Sequence, residues 1–278
     1  MIKMVVSDLD GTLLNDSHQL NPETIATIIK LQQQGIKFVI ASGRNYYSLT
    51  NMIKKLEIAK YQGFVIGSNG QQLYDFANQK MYTGAKMTSD GAYRLRQICY
   101  HLGLNTIIMY DHQTYYTTNF FIRIFLKFKF ILKQINKNVD DVGFQNYQSL
   151  NVKTKIPGDC NKICLLTKNT KKLQKLNSQI GPDYDLLTLD QHWHEIMVKG
   201  VNKGVMLNKI QKLTGFKDDE IMVFGDGEND LEMLSLVKYS YAMSNAVKKA
   251  KEAANYQALS NSENGVVKII EQEIFPKQ

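Results

Sequence analysis

The chain has 278 residues, 44% of them hydrophobic and 22% charged, with a formal net charge of +8. That is long enough for one large or two modest domains with a buried core, and its composition excludes wholesale disorder and fibrous architectures. No apolar run approaches the roughly 20 residues a membrane helix needs. The three cysteines, Cys99, Cys160 and Cys164, form neither an even disulfide framework nor the usual two-residue redox or zinc pair, so a reducing, cytoplasmic setting is expected.

Ile2–Ser7 reads as a buried strand leading into Asp8 and Asp10. Asn21-Pro22-Glu23 starts a helix, with a capping residue, a proline at the first helical position and an acid in the first turn; Gly35 stops it. Ile36–Ile40 is a second strand, closed by Ala41-Ser42-Gly43-Arg44, and a helix follows over Tyr46–Leu56. Gly63–Ile66 is a third strand. Asn69-Gly70 signals a turn, and Gln71–Phe76 with Gln79–Tyr82 pairs as a hairpin. The βαβαβ order predicts a parallel, doubly wound sheet.

The middle of the chain is mixed: a helix over Thr88–His101, strands over Asn105–Tyr110 and Asn161–Thr167, a helix over Thr170–Gln179, then a strand over Asp185–Leu189 leading into His192–Val198. After it the alternation returns. Asn202–Leu213 is a helix and Glu220–Phe224 a buried strand, and Gly225-Asp226-Gly227-Glu228-Asn229-Asp230 opens a helix through Leu236. Tyr239–Met243, Ala246–Ala254, Tyr256–Leu259 and Glu263–Glu271 continue as strand, helix, strand and helix. The expected architecture is an α/β core, Rossmann-like and doubly wound, formed by residues 1–84 and 191–278, with an α+β cap of residues 85–190 inserted between them.

Charge follows the same division. Residues 85–190 carry 15 basic and 8 acidic side chains, whereas 1–84 carry 8 and 6, and 191–278 carry 11 and 12. A basic insert suggests an anionic partner: a phosphorylated small molecule, a nucleic acid or a membrane surface. A solvated lysine-rich surface explains it equally well.

Chemistry concentrates at predicted strand ends, where open α/β sheets bind ligands. Asp8 and Asp10 follow the first strand, Ser42 the second, and Asp226 and Asp230 a later one, while Lys203 opens a helix. Clustered carboxylates with no nearby His or Cys favour Mg²⁺ over zinc. A lysine and a hydroxyl beside such a metal make a phosphate cradle, and a carboxylate can take up a phosphoryl group. Two like charges 4 Å apart at an effective dielectric of 20 repel by about 4 kcal/mol, and a phosphate dianion facing Asp8 by roughly twice that. Lys203 offsets about half, so a divalent ion is expected to be required for turnover.

Asp8-Leu9-Asp10-Gly11-Thr12 resembles the first motif of the haloacid dehalogenase superfamily of phosphotransferases. Ser42 in Ala41-Ser42-Gly43-Arg44 resembles the second, Lys203 in Asn202-Lys203-Gly204 the third, and the 225–230 segment the fourth. Ser68-Asn69-Gly70, Ser244-Asn245-Ala246 and Glu263-Asn264-Gly265-Val266 are similar to the Cof-type subfamily, which carries a large α+β cap between the second and third motifs. The resemblance implies a Mg²⁺-dependent phosphatase acting on a small phosphate monoester, a sugar phosphate or a similar metabolite. Asp8 would be nucleophile and metal ligand. Asp10 would be the general acid and then base, starting protonated, with its carbonyl on the metal. Asp226 and Asp230 would complete the metal site. Ser42, Gly43, Lys203 and Asn229 would hold phosphoryl oxygens, and Arg44 and Asn69 would line the mouth. A phosphotransferase or mutase on the same core, and a nucleic-acid or regulatory binding protein using the basic insert, are the alternatives.

Each residue also has a plainer reading. Asp8 and Asp10 could form a turn, Asp226 and Asp230 cap a helix, and Lys203 be solvated; such coincidences in order at one edge are improbable together. His192 and His194 are read as flanking the interdomain hinge rather than as a metal pair, Cys160 and Cys164 as a buried and a half-buried thiol, and Phe120, Phe121, Phe125, Phe128 and Phe130 as the core-facing side of a cap helix rather than a stacking surface.

Overall fold

Short strands set the frame, the central apolar ones buried along their length. A computed structural model of the chain describes residues 1–111, 113–117, 147–189 and 191–275, so the aromatic stretch 119–133 lies outside the described residues. The chain divides into two compact units, Met1–Gly84 with Asn202–Gln278, and Ala85–Val201.

In the first unit, β1 (Met4–Ser7), β2 (Lys37–Ala41), β3 (Phe64–Gly67), β4 (Gln72–Asp75), β5 (Lys80–Thr83), β12 (Ile221–Gly225), β13 (Tyr239–Met243) and β14 (Tyr256–Ala258) form one sheet ordered β14-β13-β12-β1-β2-β3-β4-β5. The six strands from β14 to β3 are parallel, and β4 and β5 add an antiparallel edge. Strands buried on both faces read as continuous apolar runs, which is why MVVS and IMVFG carry no alternation.

The helices of this unit are α1 (Pro22–Gln33), α2 (Thr50–Lys55), α5 (Lys203–Thr214), α6 (Leu231–Ser235), α7 (Lys248–Ala253) and α8 (Gly265–Glu273). Pro22 opens α1, and Gly35 follows it at φ +81°. Asn21 sits at the cap position without making the cap bond; its amide spans Asn15 and Asn264 instead. The single helix expected over 46–56 is a 3₁₀ turn, Tyr46–Leu49, running into α2.

In the second unit, β6 (Thr106–Met109), β7 (Thr114–Thr117), β8 (Tyr147–Ser149), β9 (Lys162–Leu166), β10 (Tyr184–Thr188) and β11 (Trp193–Val198) are ordered β10-β11-β9-β6-β7-β8, antiparallel except for β7 with β8. Helices α3 (Ser89–His101) and α4 (Thr170–Asn177) supply Leu95, Cys99 and Leu176 to a core shared with Ile108, Ile163 and Ile196. Thr88 caps α3 by accepting from the Gly91 amide.

Three expectations change here. The second join falls at Val201/Asn202 rather than 190/191, because β11 pairs with β9 and β10 and belongs to the second sheet. His192 and His194 therefore flank no hinge. His194 is buried in β11, with Nδ1 3.0 Å from Thr188 Oγ1 and Nε2 3.1 Å from the Thr167 carbonyl. Both Cys160 and Cys164 are fully buried, as is Cys99. Among the described residues no helix is long and apolar enough to cross a membrane.

Burial pushes the Cys99 and Cys160 thiols up to about 12 and raises Cys164 with help from Glu195. Thiolates are the reactive form, so the native protein at pH 8 should resist iodoacetamide at all three cysteines and take up three labels once unfolded. Intact-mass spectrometry reads the count, and native labelling would show that these sites open.

Candidate active site

Sheet order brings the predicted residues together. β12, β1 and β2 are parallel neighbours, with Ser7 in register with both Phe224 and Ile40. The residues just beyond their carboxyl ends, Asp226, Asp8 and Ser42, therefore stand side by side. The Asp8 amide extends the ladder by donating to the Phe224 carbonyl at 3.0 Å, and the Ser42 amide donates to Ile66 at 2.8 Å.

Behind Asp8 the chain makes one wide turn, the Leu14 amide closing on the Leu9 carbonyl at 2.9 Å. Gly11 has φ +84°, and a Cβ there would collide with Asp226 Oδ2. The residue after the acidic pair must therefore lack a side chain. Thr12 donates to Asp226 Oδ1 at 2.7 Å, and Asn245 Nδ2 donates to the Gly11 carbonyl at 2.8 Å.

Lys203 is the first residue of α5, whose cap residue Asn202 accepts from the Val205 amide at 2.8 Å. Its ammonium is wholly buried and donates to Asp8 Oδ1 and Asp230 Oδ1, both at 2.6 Å. Asp230 Oδ2 accepts the Asp226 and Gly227 amides, each at 2.9 Å. Both oxygens of Asp230 are thus engaged, so it braces the loop and anchors the lysine. Asp8 and Asp226 each keep one oxygen without a hydrogen bond among the described residues.

Asp8, Asp226 and Asp230 have carboxylate oxygens all within 4.8 Å of one another. Burial raises Asp8 well above the carboxylate range; Lys203 opposes this, while Asp230 and Asp226 add to it. Burial and the neighbouring Asp230 push Asp226 up to about 7. Burial lowers the Lys203 ammonium, but Asp230 and Asp8 outweigh it and leave it raised. Three carboxylates against one ammonium leave two positive charges wanting. An all-oxygen donor set short of two charges fits Mg²⁺ and has no soft ligand to favour zinc.

Asp10 stands apart from this group. Arg44 grips it as a fork, Nε to Oδ2 at 2.8 Å and Nη2 to Oδ1 at 2.6 Å, and His18 Nδ1 lies 3.1 Å from Oδ1. Burial raises the Asp10 carboxyl, but Arg44 and His18 more than reverse it and hold it below the usual range. In the metal-free site the two carboxyls thus run opposite to the expected protonated Asp10 beside an ionised Asp8: Asp10 gains a cation of its own, while Asp8 shares one.

Of the two residues expected to line the mouth, Asn69 is placed differently. Arg44 is committed to Asp10, and Asn69 is 1% exposed, accepting from Asn229 Nδ2 at 2.9 Å. Ser42 is buried, its Oγ accepting from the Arg44 amide at 3.1 Å. Sequence reasoning missed His18, which a tight loop delivers: Asn15 Oδ1 accepts the Ser17 and Gln19 amides, and His18 takes φ +56°. Asn15, with its two paired amides, was the available signal.

A family model described as haloacid dehalogenase-like hydrolase matches residues 5–270. The chain belongs to the haloacid dehalogenase-like hydrolases. Among the relatives of this hydrolase, the Escherichia coli (strain K12) 5-amino-6-(5-phospho-D-ribitylamino)uracil phosphatase YbjI is 29% identical over 97% of this chain and 95% of its own. The HMP-PP phosphatase of Serratia proteamaculans is 27% identical over 90% of this chain and 87% of its own. The solved structure of BT4131, named as a subclass IIB sugar phosphatase of the superfamily, shares the fold with TM-score 0.79 at 20% identity, covering 97% of this chain and 98% of its own. The relatives named here are phosphatases, and this chain is a hydrolase of their family.

The raised Asp226 gives a pH signature in metal-free protein. Its folded pKa of about 7 exceeds the ordinary 3.8, so between those values the folded state binds more protons than the unfolded one, and stability falls as pH rises through the window. Asp226→Asn should remove that part of the slope. Thermal unfolding in EDTA across pH 4–8 checks it; parallel pH profiles for the two proteins would contradict it.

Proposed function

We propose that the chain hydrolyses small phosphate monoesters through a phosphoryl group held covalently on Asp8. The observation that carries this reading is the buried Lys203 ammonium, joined at 2.6 Å to Asp8 and to Asp230, with Asp226 in the same carboxylate group. Asp8, Asp226 and, from behind, Asp230 would hold Mg²⁺, which when bound would keep Asp8 ionised and offset its repulsion of the phosphate.

In the first step an Asp8 oxygen bonds to phosphorus as the ester oxygen leaves. That oxygen needs a proton, and Asp10 is the nearest candidate donor in the sequence motif. The fork from Arg44 occupies both Asp10 oxygens and favours the ionised form, so this role requires the fork to open. In the second step water attacks the phosphorus, the bond to Asp8 breaks and Asp10, ionised, takes the water proton. Lys203, the Ser42–Gly43 loop and Asn229 would orient the phosphoryl oxygens.

YbjI is named for a phosphorylated ribitylaminouracil and the Serratia enzyme for HMP-PP. Phosphorylated metabolites of this size are the substrate class proposed here, and the excess of basic residues in 85–190 suits an anion. A panel of sugar phosphates and phosphorylated ring compounds, assayed for phosphate release with Mg²⁺, tests the class. Asp8→Asn should lower turnover on the order of 10⁴-fold or more while circular dichroism is unchanged, and EDTA should abolish wild-type activity reversibly. Retained activity in Asp8→Asn would overturn the covalent step.

A further inference from the structure

The turn Ser68-Asn69-Gly70 holds three consecutive residues in the left-handed region, with φ of 50°, 55° and 96°. Glycine adopts such angles freely, but serine and asparagine do so against a steric cost. Two of them in a row persist only where the surroundings over-determine them. Here the Ser68 amide donates to the Arg44 carbonyl at 2.7 Å and the Asn69 amide to the Ser42 carbonyl at 3.0 Å. A Cβ on Gly70 would collide with the Asn202 carbonyl oxygen, next to Lys203. The turn thus fastens the loop after β2 and abuts the cap of α5.

The Asn69 side chain completes the arrangement. Its Oδ1 accepts from Asn229 Nδ2 at 2.9 Å, and a Cβ on Gly43 would lie 3.0 Å from the same oxygen. On the other side, a Cβ on Gly227 would lie 2.5 Å from Asn229 Oδ1. The Asn229 amide is therefore oriented, with its oxygen toward Gly227 and its nitrogen toward Asn69. An amide nitrogen carries two hydrogens. One goes to Asn69, and the second is left to donate.

We propose that Asn69 is a positioning residue of the hydrolytic site, fixing Asn229 with its N–H group toward the phosphoryl oxygens. The inference rests on the phosphatase reading above. Without the Asn69 acceptor the Asn229 amide can turn over and present its oxygen to an anion, which repels where it should attract. The reach is indirect, because Asn69 is buried and two of the groups it orders, Gly43 and Asn229, face the phosphate in that reading.

Asn69→Gly keeps the left-handed backbone and removes the amide. It should lower kcat/KM about 10- to 100-fold and weaken competitive inhibition by inorganic phosphate about tenfold, as a misoriented contact does. The melting temperature and the Mg²⁺ concentration for half-maximal activity should change little, which a merely structural role would not predict. In the Asn229→Ala background the same substitution should cost less than about twofold, because nothing remains to orient. Asn69→Ser, which tolerates the backbone as Ser68 does, covers the case in which glycine loosens the turn and should show the same dependence on Asn229. Wild-type phosphate inhibition in a folded Asn69 variant, or losses that multiply with Asn229→Ala, would overturn the assignment while leaving the phosphatase reading intact. A wild-type protein that releases phosphate from no ester would overturn both.

Discussion

Three carboxylates drawn within 4.8 Å of one another share one buried ammonium in the first unit. Breaking a buried pair by removing one partner typically costs about 3–5 kcal/mol, and each of these acids would be costly alone. The fold meets that cost locally. Asp230 is saturated by Lys203 and two backbone amides, Asp226 takes a hydroxyl from Thr12, and Asp8 takes the lysine. The charge that is still uncompensated is the feature that would favour a divalent cation in the reading proposed above.

The second acid of the Asp-x-Asp pair obeys a separate logic. Two residues beyond Asp8, it has left the carboxylate cluster for Arg44 and His18. Placing the two acids against different cations drives their proton affinities apart, here with Asp8 raised and Asp10 lowered. In the arrangement seen, Asp10 is prepared to accept a proton rather than to give one. The Arg44 fork therefore stands between this arrangement and the acid step proposed above.

Much of the candidate site was legible because its residues lie where local signals are strong. Asp8, Ser42 and Asp226 follow uninterrupted apolar strands, and a parallel sheet gathers the carboxyl ends of such strands on one edge. Lys203 follows a helix cap, and Gly11 follows an acidic pair whose turn leaves no room for a side chain. The inserted unit was legible as a break in the strand–helix alternation. Its end was not, because Trp193–Val198 reads as a strand in either unit and only its pairing with β9 and β10 assigns it.

The alternation of strands and helices along the chain, and the acids and lysine at their ends, were thus determined by the sequence itself, through hydrophobic runs and the few residue types that turn at their ends. Partner choice was decided only in three dimensions. Arg44 and Asn69 carry no local mark that sends one to Asp10 and hides the other against Asn229. His18 reaches Asp10 through a loop whose closure depends on Asn15. Hydrogen-bond partners and proton affinities depend on distances of a few ångströms between segments far apart in the chain, and periodicity along the chain holds no record of those distances.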